Sequence, residues 1–270
     1  MEFMAETLPR SFAEPACDPA QFAGRLAVVT GGTSGIGAAT VRALAAAGAR
    51  VAFLGLLGAQ GRRLEEELRA AGGDVAFHHV DVRDPAAVAA FFARLAADGR
   101  PLAYAVNAAG INHPPAPVAE LDPALARDVM ETNFWGVFHC LREEIALMRP
   151  HHFGRIVNVV SILAGRPAPF MAAYGASKDA LLALTRTAAA EYGAEGLRVR
   201  ALSPGPTDTP MFHRALIEIA GDPAKYAGGL PESGPQSADD VARAALYLLA
   251  EEGASWPAVE LVLDGTARLR

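Results

Sequence analysis

Short apolar runs alternate along the chain with longer segments of helix length. The apolar runs predict seven strands, at residues 25–30, 50–55, 74–80, 102–107, 155–161, 197–203 and 258–264. Segments rich in Ala, Leu, Arg and Glu separate most of them and predict helices at residues 36–48, 60–72, 84–98, 123–149 and 174–193. Strands that are apolar on both faces and alternate with helices are typical of a parallel sheet covered on both sides. The pattern therefore predicts an α/β fold, a single doubly wound domain with a seven-stranded parallel sheet and helices on both faces.

Two stretches depart from this alternation. Residues 1–23 are rich in Pro, Ala and Glu, and we expect them to form a disordered tail in front of a domain that spans residues 24–270. Residues 209–236 combine Pro and Gly with an apolar patch, which predicts a movable flap over a substrate site. No linker, repeat or low-complexity stretch divides the rest of the sequence.

Composition narrows the functional classes. The chain has 270 residues and a net charge of −6, so it lacks the basic character of a nucleic-acid-binding protein. No apolar run reaches the ~18 residues of a membrane span, and the N-terminus has no apolar core of a secretion signal. The two cysteines, Cys17 and Cys140, have no ligand-like spacing, which fits a reducing cytoplasm. We expect a cytoplasmic protein with no nucleic-acid, membrane or metal partner.

The first predicted strand runs into T-G-G-T-S-G-I-G at residues 30–37, which opens a predicted helix. Gly31, Gly35 and Gly37 let the backbone turn tightly and approach a phosphate group, whose charge a helix N-terminus favours. In an open parallel sheet, ligands bind beyond the carboxyl ends of the strands, which is where this loop lies. The alternative, for the loop taken by itself, is an ordinary glycine-rich turn.

A tyrosine precedes one of only two lysines by four residues, in A-A-Y-G-A-S-K at residues 172–178. Residues four apart share a helix face, so Tyr174 and Lys178 can flank one site. A phenol with an ordinary pKa of ~10 is a poor base at neutral pH, and a nearby ammonium group lowers that pKa. The pair therefore predicts proton transfer by Tyr174. The alternative is a chance pair on a solvated helix face.

Taken in order, several short motifs resemble the classical short-chain dehydrogenase/reductase family over residues 24–265. The motifs are T-G-G-T-S-G-I-G (30–37), Asp81–Val82, N-A-A-G (107–110), Asn133, Ser161, Tyr174-x-x-x-Lys178 and S-P-G (203–205). The resemblance implies a Rossmann-type domain and an NAD(P)-dependent oxidoreductase that interconverts a secondary alcohol and a ketone by hydride transfer. It also implies a homotetramer or homodimer, built on the helices at 123–149 and 174–193.

The resemblance assigns roles to four catalytic residues. Tyr174 gives or takes the hydroxyl proton, Ser161 orients the substrate oxygen, and Lys178 lowers the tyrosine pKa and holds the ribose. Asn133 holds a water that links Lys178 to solvent, often with a local distortion of its helix. From the residues alone, Ser161 also fits the cap of a turn, and Asn133 also fits an interhelical hydrogen bond.

The implied cofactor-binding residues follow the predicted strands and flank the catalytic pair. They are Gly31, Ser34, Gly35, Ile36, Gly37, Gly55, Asp81, Val82, Asn107, Gly110, Tyr174, Lys178, Pro204, Gly205, Thr207 and Thr209. Asp81 would bind the adenine amine, and Asn107 and Gly110 would shape the floor of the cleft.

The end of the second predicted strand decides between NAD and NADP in this family. Gly55 stands where NAD users commonly have an acidic residue, and Leu56 stands where NADP users often have arginine. Because a 2′-phosphate without a cation lacks a partner for its charge, the sequence favours NAD over NADP. Arg62 and Arg63 follow nearby and could fold back onto a phosphate, but we expect them to open the next helix facing water.

Apolar residues near the predicted site indicate the substrate. They are Ile162, Leu163, Phe170, Pro206, Met211 and Phe212. The polar candidates His113, Arg166 and His213 are expected to face solvent. The sequence thus predicts a medium-sized, largely apolar ketone or alcohol as the small-molecule partner. Two other functions stay open: a non-redox epimerase or dehydratase on the same scaffold, and a catalytically silent cofactor-binding scaffold.

Overall fold

The structure, a computed structural model, describes residues 17–219, 234–256 and 258–264. Its strands are β1 (Leu26–Thr30), β2 (Arg50–Gly55), β3 (Val75–His79), β4 (Leu102–Asn107), β5 (Gly154–Val159), β6 (Leu197–Pro204), β7 (Thr207–Asp208), β8 (Gln236–Ser237) and β9 (Glu260–Leu263). One parallel sheet has the order β3-β2-β1-β4-β5-β6-β9, whereas β7 and β8 pair with each other outside it. The predicted seven-stranded parallel sheet is therefore confirmed.

Helices connect the strands and pack on both faces of the sheet. The α-helices are α1 (Gly35–Ala46), α2 (Gly58–Ala70), α3 (Pro85–Ala97), α4 (Pro123–Met130), α5 (Gly136–Met148), α6 (Ala172–Tyr192), α7 (Pro210–Ile219) and α8 (Ala238–Leu249). The predicted helix at 123–149 is interrupted, because Glu131–Trp135 form a π-helical turn between α4 and α5. The predicted flap begins with α7, and residues 220–233 of it lie outside the described residues.

Successive side chains of β1 enter opposite layers of the core. Val29 packs in the layer that contains Leu44 of α1, whereas Val28 packs in the layer that contains Phe91 of α3. All four side chains are fully buried. This alternation follows from the two-residue period of a strand, and it requires a cover of helices on each face.

The strand order reverses at β1. This strand pairs with β2 on one side and with β4 on the other, and the chain crosses from β3 back to β4 between them. Such a reversal opens a crevice beyond the carboxyl ends of the two central strands. Here those ends are Thr30 and Asn107, which pair in register.

Part of the predicted N-terminal tail packs against the domain. Phe22 is fully buried, with its ring centroid 4.9 Å from that of Tyr104. Tyr104 Oη donates to the Gln21 carbonyl oxygen at 2.9 Å. The expectation of disorder is therefore corrected for residues 17–23, because a buried ring anchors them, while residues 1–16 lie outside the described residues. In the described part of the chain, no helix combines the length and apolar character that a membrane span requires.

Candidate active site

The loop after β1 brings glycines against neighbouring backbone. Gly31 and Gly35 have φ angles of 65° and 51°, in the left-handed region that favours glycine. A Cβ on Gly37 would lie 2.2 Å from the Gly31 carbonyl oxygen, and a Cβ on Gly31 would lie 2.7 Å from Ala109 backbone. Side chains at these positions would therefore displace the loop. Since α1 begins at Gly35, its free N–H groups lie at this point of the crevice.

A cavity of about 370 Å³ lies over this loop. Leu56 and Leu57 line it with 49 % and 44 % of their surface exposed, so they offer apolar faces to a flat ring. The predicted cofactor residues that line it are Gly31, Ser34, Gly35, Ile36, Gly37, Gly55, Asp81, Val82, Gly110 and Thr209. The glycine loop at the N-terminus of α1 fits the diphosphate of a dinucleotide, and the apolar surface of Leu56 and Leu57 fits its adenine.

A second cavity, of about 250 Å³, adjoins the first, because Ile36, Gly110 and Thr209 line both. The remaining predicted residues in its wall are Ser161, Tyr174, Lys178, Pro204, Gly205 and Thr207. Every predicted site residue except Asn107 and Asn133 therefore lines one of two connected cavities.

Asn107 lies behind the crevice. Its buried side chain donates from Nδ2 to Glu144 Oε2 and to Asn158 Oδ1, both at 3.0 Å. Asn158 Nδ2 donates in turn to Thr185 Oγ1 at 2.9 Å. Burial raises the pKa of Glu144 to about 8, although its hydrogen bond with Asn107 opposes the shift. The expectation that Asn107 shapes the cofactor cleft is corrected, since Asn107 lines neither cavity and its amide group instead links β4 to β5 and α5, while Asn158 continues the link to α6.

Asp81 forms a two-point ion pair with Arg83. Arg83 Nε donates to Oδ1 at 3.0 Å, and Nη2 donates to Oδ2 at 2.7 Å. These hydrogen bonds hold the pKa of the carboxyl group below its usual range. The Arg83 backbone N–H also donates to Oδ1, and Nε reaches Oδ2 as well, both at 3.0 Å. Arg83 therefore engages both carboxylate oxygens of Asp81, and an adenine amine bound to Asp81 in the cavity that it lines stays a prediction.

Lys178 is held against the end of β5. Its Nζ donates to the Val159 carbonyl oxygen at 2.9 Å, and only 5 % of the residue is exposed. Burial lowers the pKa of Lys178 to about 8, because desolvation disfavours the charged form. The ammonium group has three N–H donors, and the Val159 contact occupies one of them.

Tyr174 lies beside both Ser161 and Lys178. Burial raises the pKa of the phenol, and a hydrogen bond with Ser161 partly offsets that rise. Lys178 Nζ lies 5.7 Å from the centroid of the tyrosine ring. Burial and the Ser161 hydrogen bond are the causes that act on this pKa, so the expectation that the lysine lowers it stays a prediction. At neutral pH the phenol keeps its proton and is suited to donate it.

Ser161 also caps the turn that follows β5. Its Oγ accepts a hydrogen bond from the Leu163 backbone N–H at 3.2 Å. The turn-cap interpretation and the catalytic interpretation of this serine are compatible, because a hydroxyl group that accepts one hydrogen bond can still donate another.

Asn133 occupies the π-helical turn and is fully buried. Its Oδ1 accepts from the Ile111 N–H at 2.8 Å, and its Nδ2 donates to the Ile111 carbonyl oxygen and to Ser177 Oγ, both at 3.0 Å. The interhelical hydrogen bond that the sequence left open is therefore present. A water held by Asn133 stays a prediction.

The wall of the second cavity is mainly apolar. Its apolar lining includes Ile162, Leu163, Pro169, Met171, Pro206, Met211 and Phe212. Phe170, which the sequence placed there, does not line it, whereas its two neighbours do. Among the described lining residues, Asn112 adds a polar side chain near the catalytic group.

The three polar candidates from the sequence lie outside this wall. Arg166 and His213 are exposed, as expected, and His213 Nε2 lies 2.6 Å from Asp208 Oδ1. His113 is buried, contrary to expectation, with Nδ1 2.8 Å from the Pro114 carbonyl oxygen. None of these three side chains lines the second cavity.

Comparison with known proteins matches residues 25–218 to the family model described as short chain dehydrogenase. The chain belongs to the short-chain dehydrogenase family. This short-chain dehydrogenase is 38 % identical over 248 residues to cis-4-hydroxycyclohexanecarboxylate dehydrogenase of Sinomonas cyclohexanicum, covering 90 % of this chain and 96 % of that protein. It is 36 % identical over 245 residues to 2,5-dichloro-2,5-cyclohexadiene-1,4-diol dehydrogenase of Sphingobium indicum, covering 90 % and 96 %.

Among solved structures, a variant of actinorhodin polyketide ketoreductase determined with NADPH resembles this short-chain dehydrogenase with a TM-score of 0.83 and 30 % identity. The match covers 90 % of this chain and 97 % of that one. Family membership makes the chain an oxidoreductase of CH–OH groups that binds NAD(P).

Several residues at the site of this short-chain dehydrogenase were not expected from the sequence. They are Thr33, Leu57, Arg83, Asn112 and Arg214, which line the two cavities. Arg214 had no local signal, because nothing in the sequence shows which face of α7 meets the glycine loop. Asn112 had none, because loop residues carry no periodicity.

Proposed function

We propose that this short-chain dehydrogenase interconverts a secondary alcohol and a ketone on a medium-sized, largely apolar ring. The observation that carries the proposal is the meeting of Ser161, Tyr174 and Lys178 in one cavity with mainly apolar walls. Such walls favour a substrate that buries hydrocarbon. The names of two relatives specify a hydroxycyclohexane and a cyclohexadiene diol, which supports a ring substrate.

Three side chains act at the substrate oxygen. Ser161 donates a hydrogen bond that orients this oxygen and shares its developing charge. The Tyr174 phenol donates its proton to the carbonyl oxygen in reduction, and it takes the hydroxyl proton in oxidation. Lys178, fixed by the Val159 carbonyl, has two further donors for ribose hydroxyls and stabilises the phenolate electrostatically. NAD(P) supplies or accepts the hydride when it is bound.

The protonated phenol of Tyr174 is in the form that ketone reduction needs at neutral pH. Burial raises the phenol pKa, so the proton needed for ketone reduction is present. Alcohol oxidation needs the phenolate, which forms more readily as the pH rises. The oxidation rate is therefore proposed to increase into the alkaline range, while the reduction rate is highest at or below neutral pH.

NAD is the proposed preferred cofactor. Gly55 and Leu56 line the cavity beyond β2 without a charged side chain of their own, so a 2′-phosphate there would lack an immediate cation. Thr33 Oγ1 lies 2.9 Å from the point where a Cβ on Gly55 would be, so it is placed to hydrogen-bond a ribose hydroxyl. Arg62 is an observation against this proposal, because it is a cation near the end of β2. Its Nη1 lies 3.5 Å from the point where a Cβ on Gly58 would be.

A fluorescence titration with NADH and NADPH separates the two cofactors. The proposal expects tighter binding of NADH, and an Arg62→Gln variant with unchanged affinity for both. Tighter binding of NADPH that is lost in Arg62→Gln would show that this arginine reads the 2′-phosphate and that the NAD preference is wrong.

A homotetramer or homodimer is proposed from the π-helical turn and the helices around it. Trp135 and Leu125 leave 42 % and 38 % of their surface exposed there, and exposed apolar side chains of this size support an interface. Light scattering after size-exclusion chromatography tests the assembly, and a monomer at micromolar concentration would contradict it. The free, buried Cys17 and Cys140 support a reducing, cytoplasmic location.

Tyr174→Phe tests the proposed reaction, with Tyr247→Phe on α8 as the matched control. The assay follows NAD(P)H absorbance with cyclohexanone, substituted cyclohexanols and hydroxysteroids. The expected result is loss of turnover in Tyr174→Phe with cofactor affinity retained, and normal turnover in Tyr247→Phe. Turnover that survives in Tyr174→Phe would exclude the proposed proton donor, and turnover restricted to small charged substrates would exclude the apolar ring.

A further inference from the structure

We propose that Arg214 binds the diphosphate of the dinucleotide, so that α7 forms part of the cofactor site. This inference rests on the proposed use of NAD(P) and adds to it a residue outside the glycine loop. Arg214 lies on α7 and lines the larger cavity together with Ser34, Gly35 and Thr209.

The start of α7 lies directly against the glycine loop. A Cβ on Gly35 would come 3.2 Å from Thr209 Cγ2 and 4.0 Å from Pro210 Cδ. Gly35 is the first residue of α1, where free backbone N–H groups attract a phosphate group. Arg214 follows Pro210 by four residues, so it lies on the same face of α7, one turn further along. The diphosphate therefore lies between the N-terminus of α1 and this face of α7.

The charges around the cavity single out Arg214. Arg83 also lines it, but both of its hydrogen-bonding nitrogens face the Asp81 carboxylate. Lys178 lies in the adjoining cavity and is hydrogen-bonded to Val159. Within the part of the chain that the structure describes, Arg214 forms no ion pair with a carboxylate. It is thus the cation of this cavity that a diphosphate can engage without breaking an existing ion pair.

A guanidinium group suits this position. Its planar donors match two phosphate oxygens at once, and charge-assisted hydrogen bonds of this kind are shorter and stronger than neutral ones. The side chain is exposed, so part of the attraction is screened by salt. We expect its removal to weaken cofactor binding about tenfold.

The test is a fluorescence titration of NADH and NADPH against Arg214→Gln, Arg214→Lys and the control Arg62→Gln. Arg214→Gln should weaken binding of NADH and NADPH to the same extent, about tenfold, and should flatten the dependence of affinity on salt. Arg214→Lys should recover part of the loss, and Arg62→Gln should bind NADH as the unaltered protein does. Displacement of NADH by ADP should weaken in Arg214→Gln, whereas displacement by adenosine should not.

Two results would overturn the inference. Equal affinities in Arg214→Gln and the unaltered protein would show that Arg214 contacts no phosphate. A loss confined to NADPH would place Arg214 at the 2′-phosphate. If the unaltered protein bound neither dinucleotide, the proposed function itself would fail. Binding of NADH or NADPH by the unaltered protein therefore separates a failure of this inference from a failure of the proposed function. Thermal melting without cofactor should be the same for all variants, because both arginines are outside the core.

Discussion

Asn133 Nδ2 donates a hydrogen bond to Ser177 Oγ at 3.0 Å, and this contact joins the π-helical turn to the helix that carries Tyr174. Ser177 Oγ donates in turn to the Tyr174 carbonyl oxygen at 2.7 Å. The other atoms of the Asn133 amide group pair with the backbone of Ile111. One buried side chain therefore ties the loop after β4 to the backbone of the proposed proton donor.

Replacing Asn133 by Ala should cost stability and activity together. Three hydrogen bonds are lost, and buried backbone groups of Ile111 are left without partners, which predicts a loss of about 3 kcal/mol in the free energy of unfolding. Urea unfolding measures it. Ser177→Ala is the matched control, because it removes the link to α6 and the bond to the Tyr174 carbonyl oxygen but keeps both Ile111 hydrogen bonds, and it should cost about 1 kcal/mol. Equal stability of Asn133→Ala and the unaltered protein would contradict the structural role.

Lys178→Met should abolish turnover without lowering stability at pH 7. Burial lowers the pKa of Lys178 from 10.5 to about 8, so between these values the unfolded chain binds more protons than the folded one. Stability therefore rises with pH across that window, and below about pH 8 the folded state carries the cost of a buried charge.

Thermal melting between pH 7 and pH 10 checks this prediction. The unaltered protein should gain stability toward pH 10, and Lys178→Met should not. Lys178→Arg is the control that keeps the charge, since arginine does not lose its proton in this range. A fall in melting temperature of Lys178→Met at pH 7 would argue that Lys178 stabilises the fold.

Glu144→Gln should remove a pH dependence of opposite sign. Burial raises the pKa of Glu144 from 4.5 to about 8, so between these values the folded state binds more protons than the unfolded chain. The contribution of Glu144 is fully present below about pH 4.5 and is lost as the pH rises toward 8. Between pH 5 and pH 8 the glutamine variant should therefore lose less stability than the unaltered protein.

Glu143→Gln on the same helix is the control for that measurement. Its side chain is 30 % exposed, so its substitution should leave the pH profile unchanged. If stability depended on pH in the same way in Glu144→Gln and in the unaltered protein, Glu144 would be ionised in the folded state.

Gly37→Ala should disable cofactor binding by displacing the loop. A Cβ there would lie 2.2 Å from the Gly31 carbonyl oxygen, a backbone atom that cannot rotate away. We expect at least a tenfold loss of NADH affinity and a loss of about 1–3 kcal/mol in stability. Gly193→Ala is the control, because no atom lies within 4 Å of its Cβ position. Normal NADH binding by Gly37→Ala would show that the loop tolerates a side chain.

Local pattern predicted most of the fold. The strand predictions agree with the observed strands to within two residues at most ends, because a buried parallel strand is a short apolar run whatever surrounds it. The helix α8 was missed, although Ser237 and Asp240 form a capping box at its start. The hydrophobic pattern did not show the break at Glu131–Trp135, since a π-helical turn changes the hydrogen bonding of a helix without interrupting that pattern. Only the family resemblance implied a distortion there, through Asn133.

The order of residues along the chain was enough to determine the fold class, the glycine loop and the placing of Tyr174 and Lys178 on one helix face, because these depend on neighbours within a few positions. Tertiary structure alone decided that Asn107 at the end of β4 meets Glu144 of α5, that Phe22 anchors the N-terminal segment on Tyr104, and that Arg214 lines the cofactor cavity. It also decided the burial of Tyr174, which raises the pKa of the phenol. Side chains from distant segments meet, and lose their contact with water, only when the elements pack. Local sequence patterns therefore cannot predict these contacts or their effect on a pKa.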